Sequence, residues 1–175
     1  PNFANAYNNL ANTLKRLGKS EEALYFSRKA IEKKPDLADF HFNLANILKD
    51  LDKLQQAELS IRRAIELKPD FAIAYTNLGT ILNELEKFDD AELSHKKAIK
   101  LNPNCPTFYY NLGNTLRELY KLEEAEISNR KAIELKPDFA IAYSNLGIIL
   151  RALGKREEAE LSIRKAIIIE PDLAI

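Results

Sequence analysis

The sequence predicts an all-α solenoid made of five copies of one two-helix unit. Three observations predict it. The stretch Lys68-Pro69-Asp70-Phe71-Ala72-Ile73-Ala74-Tyr75-Thr76-Asn77-Leu78-Gly79 returns almost intact as Lys136-Pro137-Asp138-Phe139-Ala140-Ile141-Ala142-Tyr143-Ser144-Asn145-Leu146-Gly147. Looser copies open at Pro1, Pro35, Pro103 and Pro171, so these prolines recur every 34 residues. Between them the apolar residues return at helical spacing, not in strand alternation. Self-similarity at such a period marks a repeat array. Two short amphipathic helices cannot bury their faces alone, and stacking copies completes a core in which each repeat touches mainly its neighbours.

The third copy shows the logic of each element. Pro69 cannot continue a helix and ends the one before it. Asp70 is the expected N-cap of the next, with Asn2, Asp36, Asn104 and Asp138 at the same place. Ala74, Tyr75, Leu78, Gly79, Ile81, Leu82 and Leu85 then form one helical stripe, which defines helix A. A break is expected at residues 86–88, with Asp89 capping helix B. Ala91, His95, Ala98, Ile99 and Leu101 mark the buried side of helix B, which stops before Pro103. The repeats are therefore placed at 4–37, 38–71, 72–105, 106–139 and 140–173. Residues 171–175 open a sixth helix A, and Ala166-Ile167-Ile168-Ile169 is unusually apolar for a terminal cap. Together with the start at Pro1 and the absence of Met, this reads as a window from a longer array, or as an open end that another molecule covers.

Lys plus Arg equals Asp plus Glu at 26 each, so the formal net charge is zero. Nothing draws the chain toward nucleic acid or an anionic membrane surface. No apolar run is long enough to span a bilayer. Little here can carry chemistry. Cys105 is the single cysteine and has no cationic neighbourhood to activate it. His41 and His95 stand at different repeat positions and read as partly buried packing residues. Pairs such as Glu21-Glu22, Glu123-Glu124 and Glu157-Glu158 open B helices, where they favour the helix dipole. No cofactor, metal site or catalytic group is expected. Glu58–Arg62, Glu92–Lys96, Glu126–Arg130 and Glu160–Arg164 are i, i+4 pairs expected on an exposed face, each adding roughly 0.2–0.5 kcal/mol.

The 34-residue period and the pattern of Tyr75, Leu78-Gly79, Leu82, Ala91, His95, Ala98 and Pro103 resemble the tetratricopeptide repeat family. Equivalent sets run through all five copies, for example Tyr7, Leu10-Ala11, Leu14, Ala23, Ser27, Ala30 and Pro35. The resemblance implies a right-handed α-α solenoid of five helix-turn-helix repeats, with the A helices lining a concave surface. It also implies a large residue where Ser27, His95 and Asn129 stand, so packing there is expected to be thinner. The chaperone-tail clamp found in some members is not expected, because Asn8, Ile73 and Asn77 occupy the places of its basic residues.

Angular bookkeeping puts an amide-rich surface opposite the buried stripe of helix A. Asn9, Asn43, Asn77, Asn111 and Asn145 share one repeat position and form a ladder, flanked by Asn12, Asn46 and Asn114. An amide offers donors and an acceptor, which suits the main chain of an extended peptide. Phe42 and Tyr110 would supply apolar contact. The alternative is that these amides only set repeat stacking. The ladder is similar to that of the repeat superhelix in O-GlcNAc transferase. On helix B, Tyr25, Leu59, Leu93, Ile127 and Leu161 share one outward position. They form either an association ridge or a surface covered by the aliphatic stems of Lys29, Arg63, Lys97, Lys131 and Lys165.

The expected function is a non-catalytic scaffold that holds an extended peptide or partner segment in its concave groove. The alternatives are the substrate-recruiting arm of a larger transferase, or an array that assembles with itself through open repeat ends or the outer ridge. The expected partner is a protein or peptide, not nucleic acid or membrane. The sequence carries no address and is taken as cytoplasmic by default.

Overall fold

The computed structural model describes residues 3–171. Asn2, and the part of the expected sixth helix beyond Pro171, lie outside the described residues. Among the described residues the regular structure is ten α-helices. These are α1 (Phe3–Arg16), α2 (Ser20–Lys33), α3 (Ala38–Asp50), α4 (Leu54–Leu67), α5 (Ala72–Glu84), α6 (Phe88–Leu101), α7 (Pro106–Glu118), α8 (Leu122–Leu135), α9 (Ala140–Ala152) and α10 (Arg156–Ile169). Odd-numbered helices are A helices and even-numbered ones B helices. The chain divides into two compact units, Pro1–Leu85 with α1 to α5 and Glu86–Ile175 with α6 to α10. Within each unit, consecutive helices pack against one another.

Small residues let the helices of a repeat meet closely. Ala57 and Ala64 on α4 are wholly buried, as are Ala125 and Ala132 on α8. A Cβ built on Gly113 of α7 would lie 3.4 Å from the Ala125 carbonyl oxygen on α8. A Cβ built on Gly147 would lie 2.5 Å from Ile163 Cγ1 and 3.2 Å from the Ala159 carbonyl oxygen. The larger core residues gather around these contacts. Ala4, Ala30 and Phe40 cluster with Tyr7 and Ile31 in the first unit. Leu112, Leu116, Ala125 and Ile149 do so with Ile99 and Leu153 in the second.

The turn from helix A to helix B repeats a single backbone device. Gly18, Asp52, Glu86, Tyr120 and Gly154 all have positive φ, between 56° and 78°. Lys19, Lys53, Lys121 and Lys155 then donate their amides back to the carbonyls of Leu14, Leu48, Leu116 and Leu150, each at 2.9 Å. This is the Schellman ending of a helix. The B helices end differently. Lys34, Lys68 and Lys136 take φ between −145° and −140°. Each precedes a proline, whose ring pushes the residue before it out of the helical region.

The expected caps are not the observed ones. The N-caps of α3, α5, α7 and α9 are Leu37, Phe71, Cys105 and Phe139, one residue later than expected, and none makes a side-chain capping bond. Asp70 and Asp138 instead accept the amides of Ala72 and Ala140 through their backbone carbonyls, at 2.9 and 3.1 Å. Lys87, not Asp89, is the N-cap of α6, and Asp89 lies in its first turn. Ser27, His95 and Asn129, where a large residue is replaced, are all 0 % exposed.

Tyr120 holds a left-handed conformation that costs a non-glycine residue about 1 kcal/mol or more, and its ring is exposed. Tyr120→Gly is expected to stabilise the protein by about 0.5–1 kcal/mol in urea titration. Gly154→Ala, at the equivalent turn, is expected to destabilise it by a similar amount.

Candidate functional site

The inner face of the first unit is built by α1, α3 and α5. Its polar side chains reach across from repeat to repeat. Asn43 Nδ2 donates to Asn8 Oδ1 at 2.9 Å, and Asn77 Nδ2 donates to Asn46 Oδ1 at 2.8 Å. Beside them Lys15 pairs with Asp50 at 3.1 Å and Lys49 with Glu84 at 3.5 Å. Lys15, Asn46, Lys49, Asp50, Asn77 and Thr80 together line a polar hollow of about 330 Å³. Asn9 is exposed on α1, and Asn12 is half-buried there.

The sequence reading placed the amides on this surface and missed its cations. Lys15 and Lys49 stand at one repeat position, 34 residues apart, where α7 and α9 carry Arg117 and Arg151. That spacing was the available signal. Thr76, next to Asn77 on α5, is 4 % exposed.

In the second unit, Asn111 and Asn114 are half-buried on α7. Asn145 is only 5 % exposed and works inward. Its Oδ1 accepts from Arg117 Nη1 at 2.9 Å, and its Nδ2 donates to Asn129 Oδ1 at 3.0 Å. Asn129 Nδ2 donates in turn to the Ala125 carbonyl at 3.0 Å. Phe42 and Tyr110 are half-buried, and both lie against the N-cap residue of the next A helix. Their rings meet Phe71 at 5.0 Å and Phe139 at 5.6 Å between centroids.

The outward residues of the B helices are open. Tyr25 is 59 % exposed, Leu59 70 %, Leu93 67 %, Ile127 69 % and Leu161 67 %. The neighbouring Lys and Arg stems leave most of each uncovered, although Lys29 Nζ stands over the Tyr25 ring at 6.0 Å from its centroid.

The Glu–basic pairs do more than support single helices. All four form within hydrogen-bonding range. Glu92 and Glu126, however, are nearly buried and face the next repeat. Glu92 bonds Lys96 at 2.5 Å and Lys121 of the following helix pair at 2.6 Å. Glu126 bonds Arg130 at 2.9 Å and Lys155 at 2.7 Å. Burial alone would raise both carboxyls, but the hydrogen bonds and charges of these cations outweigh it and hold them below the ordinary carboxylate value. The lysines that answer them sit just after the left-handed turn residues, so the turn aims the cation.

No group of three or more His, Cys, Asp or Glu could hold a metal ion among the described residues. No helix there is long and apolar enough to cross a membrane.

The fold and its inter-repeat bonds define a helix-pair repeat protein. Sequence models of the tetratricopeptide repeat match residues 72–105, 1–25 with 96–127, 38–71, and 139–169. The chain belongs to the tetratricopeptide repeat family. No curated protein matches it. Among solved structures it is similar to MamA 41-end from Desulfovibrio magneticus RS-1, with a TM-score of 0.88, 20% identity, and 100% of this chain and 99% of that one covered. It is similar to Pseudomonas aeruginosa pilF, with a TM-score of 0.86, 22% identity, and 94% and 75% covered. It is also similar to YrrB, described as a TPR protein with an unusual peptide-binding site, with a TM-score of 0.76, 28% identity, and 95% and 86% covered. The all-α repeat fold expected from the sequence is the observed one.

His95 is wholly buried, and burial lowers its pKa from 6.5 to about 4. The folded chain therefore refuses a proton that the unfolded chain accepts between those values. Stability is expected to fall by about 3 kcal/mol as pH drops from 7 to 4. His95→Leu should flatten that slope in urea titrations across the window. The depressed carboxyls of Glu92 and Glu126 add a separate loss only below the ordinary carboxylate value of 4.5.

Proposed function

We propose that this chain, whose family and fold support a protein-interaction scaffold, holds an extended peptide along the inner face of its A helices, with the hollow between α1, α3 and α5 as the principal contact. One observation supports this reading above the others. The hollow's lining alternates amides with charged groups, and it offers donors and acceptors together, as a peptide main chain does. An Asn amide has four hydrogen-bonding positions, and the Asn46–Asn77 bond uses one on each side chain. Asn9, Asn12 and Asn43 extend the same chemistry in the first unit, and Asn111 and Asn114 offer it separately on α7 of the second. Phe42 and Tyr110 add the apolar surface their partners leave uncovered. YrrB, with its peptide-binding site, is a precedent on a related fold.

The reading is tested by selecting binders from a displayed library of random peptides and measuring their affinity by fluorescence anisotropy. Asn46→Ala with Asn77→Ala removes both partners of one bond, so no orphaned polar group remains and little stability is lost. At least a tenfold loss of affinity is expected, with thermal unfolding nearly unchanged. Equal affinity in wild type and double variant would overturn the proposal.

A further inference from the structure

The outer surface of the B helices in the second unit carries an ordered pattern. Leu93 on α6, Ile127 on α8 and Leu161 on α10 project as isolated apolar knobs, each about two-thirds exposed. Four residues before each knob stands an acid: Asp89, Glu123 and Glu157, all exposed. Four residues after each knob stands a lysine: Lys97, Lys131 and Lys165. Residues four apart share one face of a helix. Every B helix of this unit therefore presents acid, knob and base in that order along its outer face. Consecutive helices are antiparallel neighbours, so α6, α8 and α10 run in the same direction and the three residue types fall into rows.

Such a face is complementary to itself in one orientation. A twofold axis lying along the row of knobs would reverse the helix direction in the second copy. Its acids would then meet the first copy's lysines, and its knobs the first copy's knobs. A twofold axis parallel to the helices would instead set acid on acid and base on base, which is repulsive. The local bond of Lys131 to Glu134 is no obstacle, because exposed pairs of this kind exchange at little cost. In the first unit α2 carries the same order in Glu21, Tyr25 and Lys29, but α4 breaks the row, because Gln55 and not an acid stands four residues before Leu59.

We propose that the outer face of α6, α8 and α10 is the docking surface for a second copy of this chain. The two copies form an isologous dimer in which the B helices of the two faces are antiparallel. Exposed apolar rows set between complementary charged rows are what such an interface requires. This surface is separate from the inner face and does not depend on the peptide-binding reading.

The test is the mass of the whole chain by sedimentation velocity across a hundredfold range of concentration. Wild type is expected to rise toward twice the monomer mass. The variant Leu93→Ser/Ile127→Ser/Leu161→Ser removes only exposed groups and should stay monomeric. Glu123→Lys/Glu157→Lys and Lys131→Glu/Lys165→Glu should each be monomeric alone, and an equimolar mixture should regain the dimer. Ile127→Cys should form a disulfide with itself across the axis. A wild type that stays monomeric throughout would overturn the proposal. So would a dimer that survives the triple serine change, which would point to stacking of repeat ends. Failure of the two charge-reversed variants to pair would overturn the antiparallel arrangement.

Discussion

The structure depends on how closely helix A can approach helix B within a repeat. Wholly buried alanines on the B helices, with glycine or alanine opposite, allow backbone-to-side-chain contact with no room for another methyl group. That contact sets the thickness of one repeat. The turn then has to reverse the chain within a few residues, which is why each A helix ends on a left-handed residue. The following lysine is placed by that turn, and in the second unit it reaches the glutamate of the preceding helix pair. A packing constraint thus becomes an electrostatic link between neighbours. In a chain whose repeats touch mainly the adjacent ones, such links replace a single central core.

The fold was legible because period and apolar stripe act together. Proline spacing marked where B helices end, and the stripe of Leu78, Ile81 and Leu82 marked which side of helix A is buried. What could not be read was local. Asp70 looked like a cap, yet the helix starts one residue later and the aspartate contributes its backbone carbonyl. A capping residue and a turn residue have the same composition, so only backbone geometry separates them. The inter-repeat role of Glu92 was hidden for a similar reason. An i, i+4 pair is visible in one helix, but the partner at Lys121 belongs to the next helix pair.

The inner face was legible in kind and not in detail. The amide column was evident from its 34-residue spacing. Nothing in the spacing told which amides would turn inward. Asn145 does so because Asn129 stands behind it in place of an apolar residue and needs a partner in the core. The polar substitution in helix B therefore draws the ladder residue away from the surface. In the first unit Ile61 holds the equivalent position, and Asn77 remains half-buried and bonded to Asn46.

Polar groups here divide into those that join repeats and those with capacity left over, and the difference follows from what lies behind them. The chain Arg117–Asn145–Asn129 runs from the inner surface to the backbone carbonyl of buried Ala125 in the first turn of α8. Each buried member is satisfied, so the run stiffens the second unit and adds no unpaired polar burden. Asn46 and Asn77 border solvent in the hollow, where water competes for every remaining donor and acceptor. Groups solvated in this way can be transferred to a partner's main chain at small net loss, because one set of hydrogen bonds replaces another. The same ladder position is therefore satisfied inward at one end of the chain and borders solvent at the other, and the residue behind it decides which.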